Sequence, residues 1–128
     1  MDLVTLVAGL ALVEYWIFTW QCGRARGRLG VAAPATTGNP EFERYLRVQY
    51  NTMEQLVIFL PAVFAFAYYA SPGWAAALGL VFIVGRALFA RGYVRDPAQR
   101  GPGFGLTLLA NTLLLVGSVV GALVHAVR

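Results

Sequence analysis

The sequence predicts an all-α integral membrane protein, a bundle of four transmembrane helices formed by a single domain spanning residues 1–128. Three observations carry that prediction. Of the 128 residues, 59% are hydrophobic, and mean hydropathy is +0.64, more apolar content than a soluble core of this size uses. Four apolar stretches approach or exceed the roughly 20 residues a helix needs to cross a bilayer. Between them lie short segments rich in Gly, Pro and Arg, with no alternating strand pattern.

The first helix is read over residues 3–22. It has no basic leader and no small-residue cleavage site, and Asp2 has the wrong sign for one, so it is expected to be retained. Glu14 falls in its middle. A carboxylate at that depth costs a few kcal/mol if it faces lipid, so Glu14 is expected to face other helices, either protonated or paired with an Arg. The stretch Gly23 to Asn39 reads as a loop, because Arg24, Arg26 and Arg28 stand among Gly and Ala and are followed by Pro34 and Thr36-Thr37-Gly38-Asn39-Pro40.

The second helix is read over 41–70, with Glu41 and Glu43 complementing its positive end and a bend near Pro61. Ser71-Pro72-Gly73 then makes a tight turn, which forces helices two and three to be antiparallel neighbours. The third helix, 74–94, starts at the interfacial Trp74 and becomes cationic at its end, with Arg86 and Arg91 followed by Arg95 and Arg100. The fourth, 103–127, contains Gly117 and Gly121, a pair four apart that permits close helix approach. His125, near its end, reads as interfacial.

All ten basic residues are Arg, and the net charge is +4. Arg suits carboxylates and phosphates, although a GC-rich genome produces the same bias. The segments after helices one and three, with their flanking helix ends, hold nine of these Arg residues, and the Ser71 turn holds none. By the positive-inside rule both Arg-rich segments face the cytoplasm and both termini face the other side. No aromatic-basic surface for nucleic acid is present. One Cys and one His exclude an internal disulfide and a metal site built from Cys and His.

The polar residues of helix two are regular. Arg44, Arg47, Asn51 and Glu54 are spaced i, i+3, i+7 and i+10, which puts them on one helical stripe. Two cations, an amide and a carboxylate at the polar end of a membrane helix can hold a small zwitterion or polyanion through charge-assisted hydrogen bonds. Glu54 lies about 15 Å further along the axis than Arg44 and needs a partner there. Arg26, Arg44, Arg47, Arg86, Arg91, Arg95 and Arg100, with the hydroxyls of Tyr50 and Tyr93, make up the candidate anion-binding surface. Membrane headgroups are one ligand class for it. A thiol cofactor is another, since a nearby guanidinium favours the reactive thiolate. No nucleophile with an adjacent base, no carboxylate pair and no phosphate loop is visible.

Thr37-Gly38-Asn39-Pro40-Glu41-Phe42-Glu43-Arg44, followed by Arg47, Asn51 and Glu54, resembles the signature of the membrane-associated proteins in eicosanoid and glutathione metabolism, the MAPEG family. The resemblance extends to Gly85-Arg86, to Arg91-Gly92-Tyr93-Val94-Arg95, to Arg100 and to the four-helix layout. It implies a homotrimer that binds glutathione between subunits, with Arg26, Arg47, Asn51, Glu54 and Tyr93 at positions matching the cofactor-binding residues and Arg100 matching the thiolate-stabilising one. Arg95, in the same motif, is assigned to the binding set. Gln55 and Phe89 depart from the pattern, each standing where the family usually has Tyr. The expected function is a membrane-bound glutathione transferase or peroxidase acting on hydrophobic electrophiles that partition from the bilayer. A non-catalytic lipid-binding or scaffold member and, more weakly, a small four-helix multidrug transporter using Glu14 are the alternatives.

Overall fold

The structure is a computed structural model that describes residues 1–128. Four helices follow one another: α1 Asp2–Leu29, α2 Pro40–Tyr69, α3 Pro72–Arg95 and α4 Gly101–Ala126, with a single 3-10 turn, Pro97–Arg100, before the last. All four are long and apolar enough to cross a membrane, and the chain has no strand. The protein is an all-α, four-helix integral membrane protein.

The helix ends follow local chemistry. Asn39 caps α2, its side-chain oxygen accepting from the backbone N–H of Glu41 at 3.0 Å and of Phe42 at 3.1 Å, and Pro40 takes the first position, where its missing N–H costs nothing. Ser71 caps α3 in the same way, accepting from Trp74 N–H at 3.2 Å. The expected bend at Pro61 does not divide α2, which is one helix through that residue.

One boundary differs from the expectation. The segment read as a loop from Gly23 is helical to Leu29, so Arg24, Arg26 and Arg28 stand in the last turns of α1. Gly23 and Gly27 cost helix stability, but Arg and Ala are good helix formers and cations suit a helix C-terminus. Termination waits for Gly30, which adopts the left-handed conformation at φ 71°.

α2 and α3 form the central pair, each touching the other and both outer helices, while α1 and α4 lie on opposite sides. The core is built where small residues let backbones approach. Phe59 of α2 and Phe82 of α3 stack with centroids 4.1 Å apart. Where α3 meets α4, Gly103 sits directly against the Phe89 backbone, and Gly85 against Thr107. Gly117 and Gly121 receive Phe66 and Tyr69 of α2, so this pair does serve close helix approach. Large apolar side chains such as Leu6, Trp16, Val57, Leu80 and Val119 point outward along all four helices, as contact with lipid requires.

Candidate functional site

The C-terminal ends of α1 and α3 and the N-terminal ends of α2 and α4 come together, which gathers the Arg residues at one end of the bundle. The link between the two Arg-rich segments is direct. The Arg44 guanidinium donates to the carbonyls of Val94 at 3.3 Å and Arg95 at 3.2 Å, tying α2 to the end of α3 and satisfying carbonyls that α3 leaves free.

A cavity of about 440 Å³ opens between α2, α3 and α4 and is lined by Arg47, Asn51, Phe89, Tyr93, Arg100 and Phe104. Four of the seven candidate residues, Arg47, Asn51, Tyr93 and Arg100, therefore share one space. A second cavity of about 330 Å³, lined by Glu43, Tyr50 and Thr36 among others, adjoins it through Arg47 and Tyr93. Glu54 lies beside this space, 3.5 Å from the Arg47 guanidinium, with both side chains about half exposed. This spacing follows from the helix: seven residues are two turns, so both side chains stand on one face of α2.

The remaining two candidates lie elsewhere. Arg26 folds back on its own helix end, donating to the carbonyls of Val31 at 3.3 Å and Ala35 at 2.8 Å, with its guanidinium 4.6 Å from the centre of the Phe42 ring. Arg95 borders a different groove, between α1, α2 and α3, together with Phe18, Tyr45 and Arg91. Within one chain, neither reaches the Arg47–Arg100 cavity.

Arg86 was expected on the anion-binding surface and is instead fully buried, at 0% exposure. Its Nε donates to Thr107 Oγ1 at 3.0 Å, and its Nη1 donates to Asn51 Oδ1 at 2.7 Å and Thr52 Oγ1 at 3.3 Å. The ring of Phe89 lies 4.4 Å from its guanidinium carbon, close enough for a cation–π contact. Nη2 has no partner. Glu14 does face the other helices, and its Oε1 is buried without a hydrogen bond. It makes no ion pair with Arg86 within 4 Å. The signal for this network in the sequence was a lone Arg inside an apolar run, with Thr52 and Thr107 unremarkable until the helices met.

The two departures from the family pattern also have partners. Gln55 accepts from Asn111 Nδ2 through both its side-chain oxygen, at 3.1 Å, and its backbone carbonyl, at 3.2 Å, which joins α2 to α4. The Phe89 ring stacks on Tyr93 with centroids 5.4 Å apart. Phe89 thus fills the wall between the buried Arg86 and the open cavity.

The fold and this constellation define a four-helix membrane protein with a polar, cationic site at one end of the bundle. Comparison with known proteins narrows the class. Residues 4–120 match the MAPEG family, and the chain belongs to it. Over 118 residues it is 48% identical to an uncharacterized protein of Synechocystis sp., covering 92% of this chain and 86% of that protein. It is 38% identical to microsomal glutathione S-transferase 2 of Homo sapiens, covering 93% of this chain and 81% of that one. With leukotriene C4 synthase of Bos taurus the identity is 34%, over 97% of this chain and 85% of the relative.

Proposed function

We propose that the protein is a glutathione transferase of the microsomal type, with peroxidase chemistry open to the same thiolate, working on hydrophobic electrophiles delivered through the bilayer. The observation that carries this reading is the convergence of Arg47, Asn51, Tyr93 and Arg100 on one cavity. Glutathione has two carboxylates, an ammonium and a thiol. Arg47 offers a guanidinium for a carboxylate, Glu54 an acceptor for the ammonium, and Asn51 and Tyr93 hydrogen bonds between them. Arg100 is left for the sulfur.

Arg100 ends the 3-10 turn and immediately precedes α4, whose first backbone N–H groups have no partner within the helix. A thiolate placed there meets both a guanidinium and the positive end of a helix dipole. A free thiol has a pKa of about 8.5, so lowering it raises the fraction of nucleophile at neutral pH. In conjugation the thiol loses its proton to solvent and the sulfur attacks the electrophilic carbon. The carbon–leaving-group bond breaks, and the leaving group departs with its electron pair.

The site is incomplete in one chain. Arg47 and Glu54 are half exposed, and Arg26 and Arg95 face away from them. A homotrimer supplies the missing wall by placing the Arg26 end of one copy against the cavity of the next. The single domain is oriented with the site and the segments after α1 and α3 on the cytoplasmic side and both termini opposite. The test is an assay of purified protein in detergent with glutathione and a generic aryl halide, beside native mass spectrometry. Turnover by a trimer is the expected result; glutathione binding without turnover would favour the non-catalytic reading.

A further inference from the structure

We infer that Arg86 is a positioning residue that sets the Asn51 amide so that it presents only N–H donors to the site, making Asn51 a recognition element for a ligand carboxylate. The inference rests on the glutathione reading above and goes beyond it by assigning a direction to one contact and a cause to that direction. A guanidinium has five N–H donors and no acceptor, so the atom of Asn51 that faces Arg86 at 2.7 Å must be its oxygen. The Asn51 Nδ2 group then points away from Arg86. It makes no hydrogen bond within the chain and is not sealed from the cavity that Asn51 lines with Arg47 and Arg100.

Arg86 is itself held against rotation. Thr107 Oγ1 donates to the Gly103 carbonyl at 2.9 Å, so its free lone pairs face Arg86 Nε and accept from it. Thr52 Oγ1 takes a second bond from Nη1, and the Phe89 face closes one side of the guanidinium plane. An Asn in water offers a ligand either its oxygen or its nitrogen. Here the oxygen is committed, which leaves a pair of donors beside two cations and excludes an ammonium from that spot.

The closing experiment uses the purified protein in detergent with reduced glutathione as the probe. Asn51→Asp keeps an acceptor for Arg86 but has no N–H to offer and sets a second carboxylate beside the ligand's, and it should raise the glutathione KM by at least about tenfold, the size expected for losing one hydrogen bond to a charged group before any repulsion is added, with the loss in kcat/KM carried by KM. Arg86→Lys keeps the buried charge but not the fork, and should raise KM in the same direction while the thiolate absorbance persists. A measurement that needs no variant is ¹⁵N-asparagine labelling, since the chain has three Asn, at 39, 51 and 111. Titrating glutathione should shift one side-chain amide resonance strongly. Glutathione binding that leaves every side-chain amide in place, or an Asn51→Asp enzyme with wild-type KM, overturns this inference alone. A wild-type protein that neither binds nor turns over glutathione overturns both this inference and the function it rests on.

Discussion

Arg86 Nη1 lies 2.7 Å from Asn51 Oδ1, joining a fully buried guanidinium on α3 to an amide on α2 that also borders the open cavity. A charge enters the bilayer only with partners, and here three side-chain oxygens and a ring face supply them at the point where α2, α3 and α4 meet. The fold and the site therefore depend on the same residue.

Replacing Arg86 by Leu should destabilise the protein by about 2–4 kcal/mol, because the fully buried Thr52 and Thr107 lose a partner that water cannot replace and Asn51 loses the group that holds its oxygen. Glu14 couples to this effect. Glu14→Leu removes a carboxylate that shares the helix interior with the Arg86 charge and should lower the thermal midpoint in detergent, yet in the Arg86→Leu background the same change should be neutral or stabilising, since it then removes an acid with no cation opposite. A double-mutant cycle with no coupling would separate the two residues.

The helix crossing of α3 and α4 depends on glycine. A methyl group at Gly103 would run into the Phe89 backbone, which cannot turn aside, whereas one at Gly117 would meet the Phe66 ring, which can. Gly103→Ala should therefore lower the thermal midpoint well beyond Gly117→Ala, by several degrees against one or two, on the order of the overpacking penalty seen in cores. Equal shifts would mean that α3 and α4 do not cross where Gly103 places them, since Gly117 faces α2.

Arg100→Ala should leave glutathione binding largely intact and abolish the thiolate. Ultraviolet absorbance of the bound thiolate across pH reports this directly. The apparent thiol pKa should rise toward the free value of about 8.5, and conjugation should slow at every pH below 8. An unchanged thiol pKa and rate would take Arg100 out of the chemistry.

Glu54 and Glu14 separate two functional classes. Glu54 stands 3.5 Å from Arg47 beside the cavity, and Glu14 lies among the helices near Arg86. Glu54→Ala should weaken glutathione binding much more than Glu14→Ala does, as measured by calorimetry in detergent. Equal effects would count for a transporter in which Glu14 carries the exchange.

The amino-acid sequence by itself determined the four membrane helices, the turns between them, the gathering of Arg at one end and the family. These depend on composition and on short-range signals such as Asn39-Pro40 and Ser71-Pro72, and each acts within a few residues of itself. Even here one local competition is not legible from composition, because Gly23 and Gly27 do not stop α1 and only Gly30 does. The stripe Arg47, Asn51 and Glu54 was legible for the same reason, being one face of one helix. What only the tertiary structure decided is where side chains from different helices meet. In the sequence Arg86 reads as one more surface cation; its neighbours Asn51 and Thr107 are 35 and 21 residues away in the chain, and their positions follow from how close α3 comes to α2 and α4. The same packing divided the Arg residues, turning Arg26 onto its own helix end and Arg95 toward α1 while bringing Arg47 and Arg100 to one cavity. Periodicity places a residue on a face of its own helix, but the face it meets is chosen by the summed packing of all four.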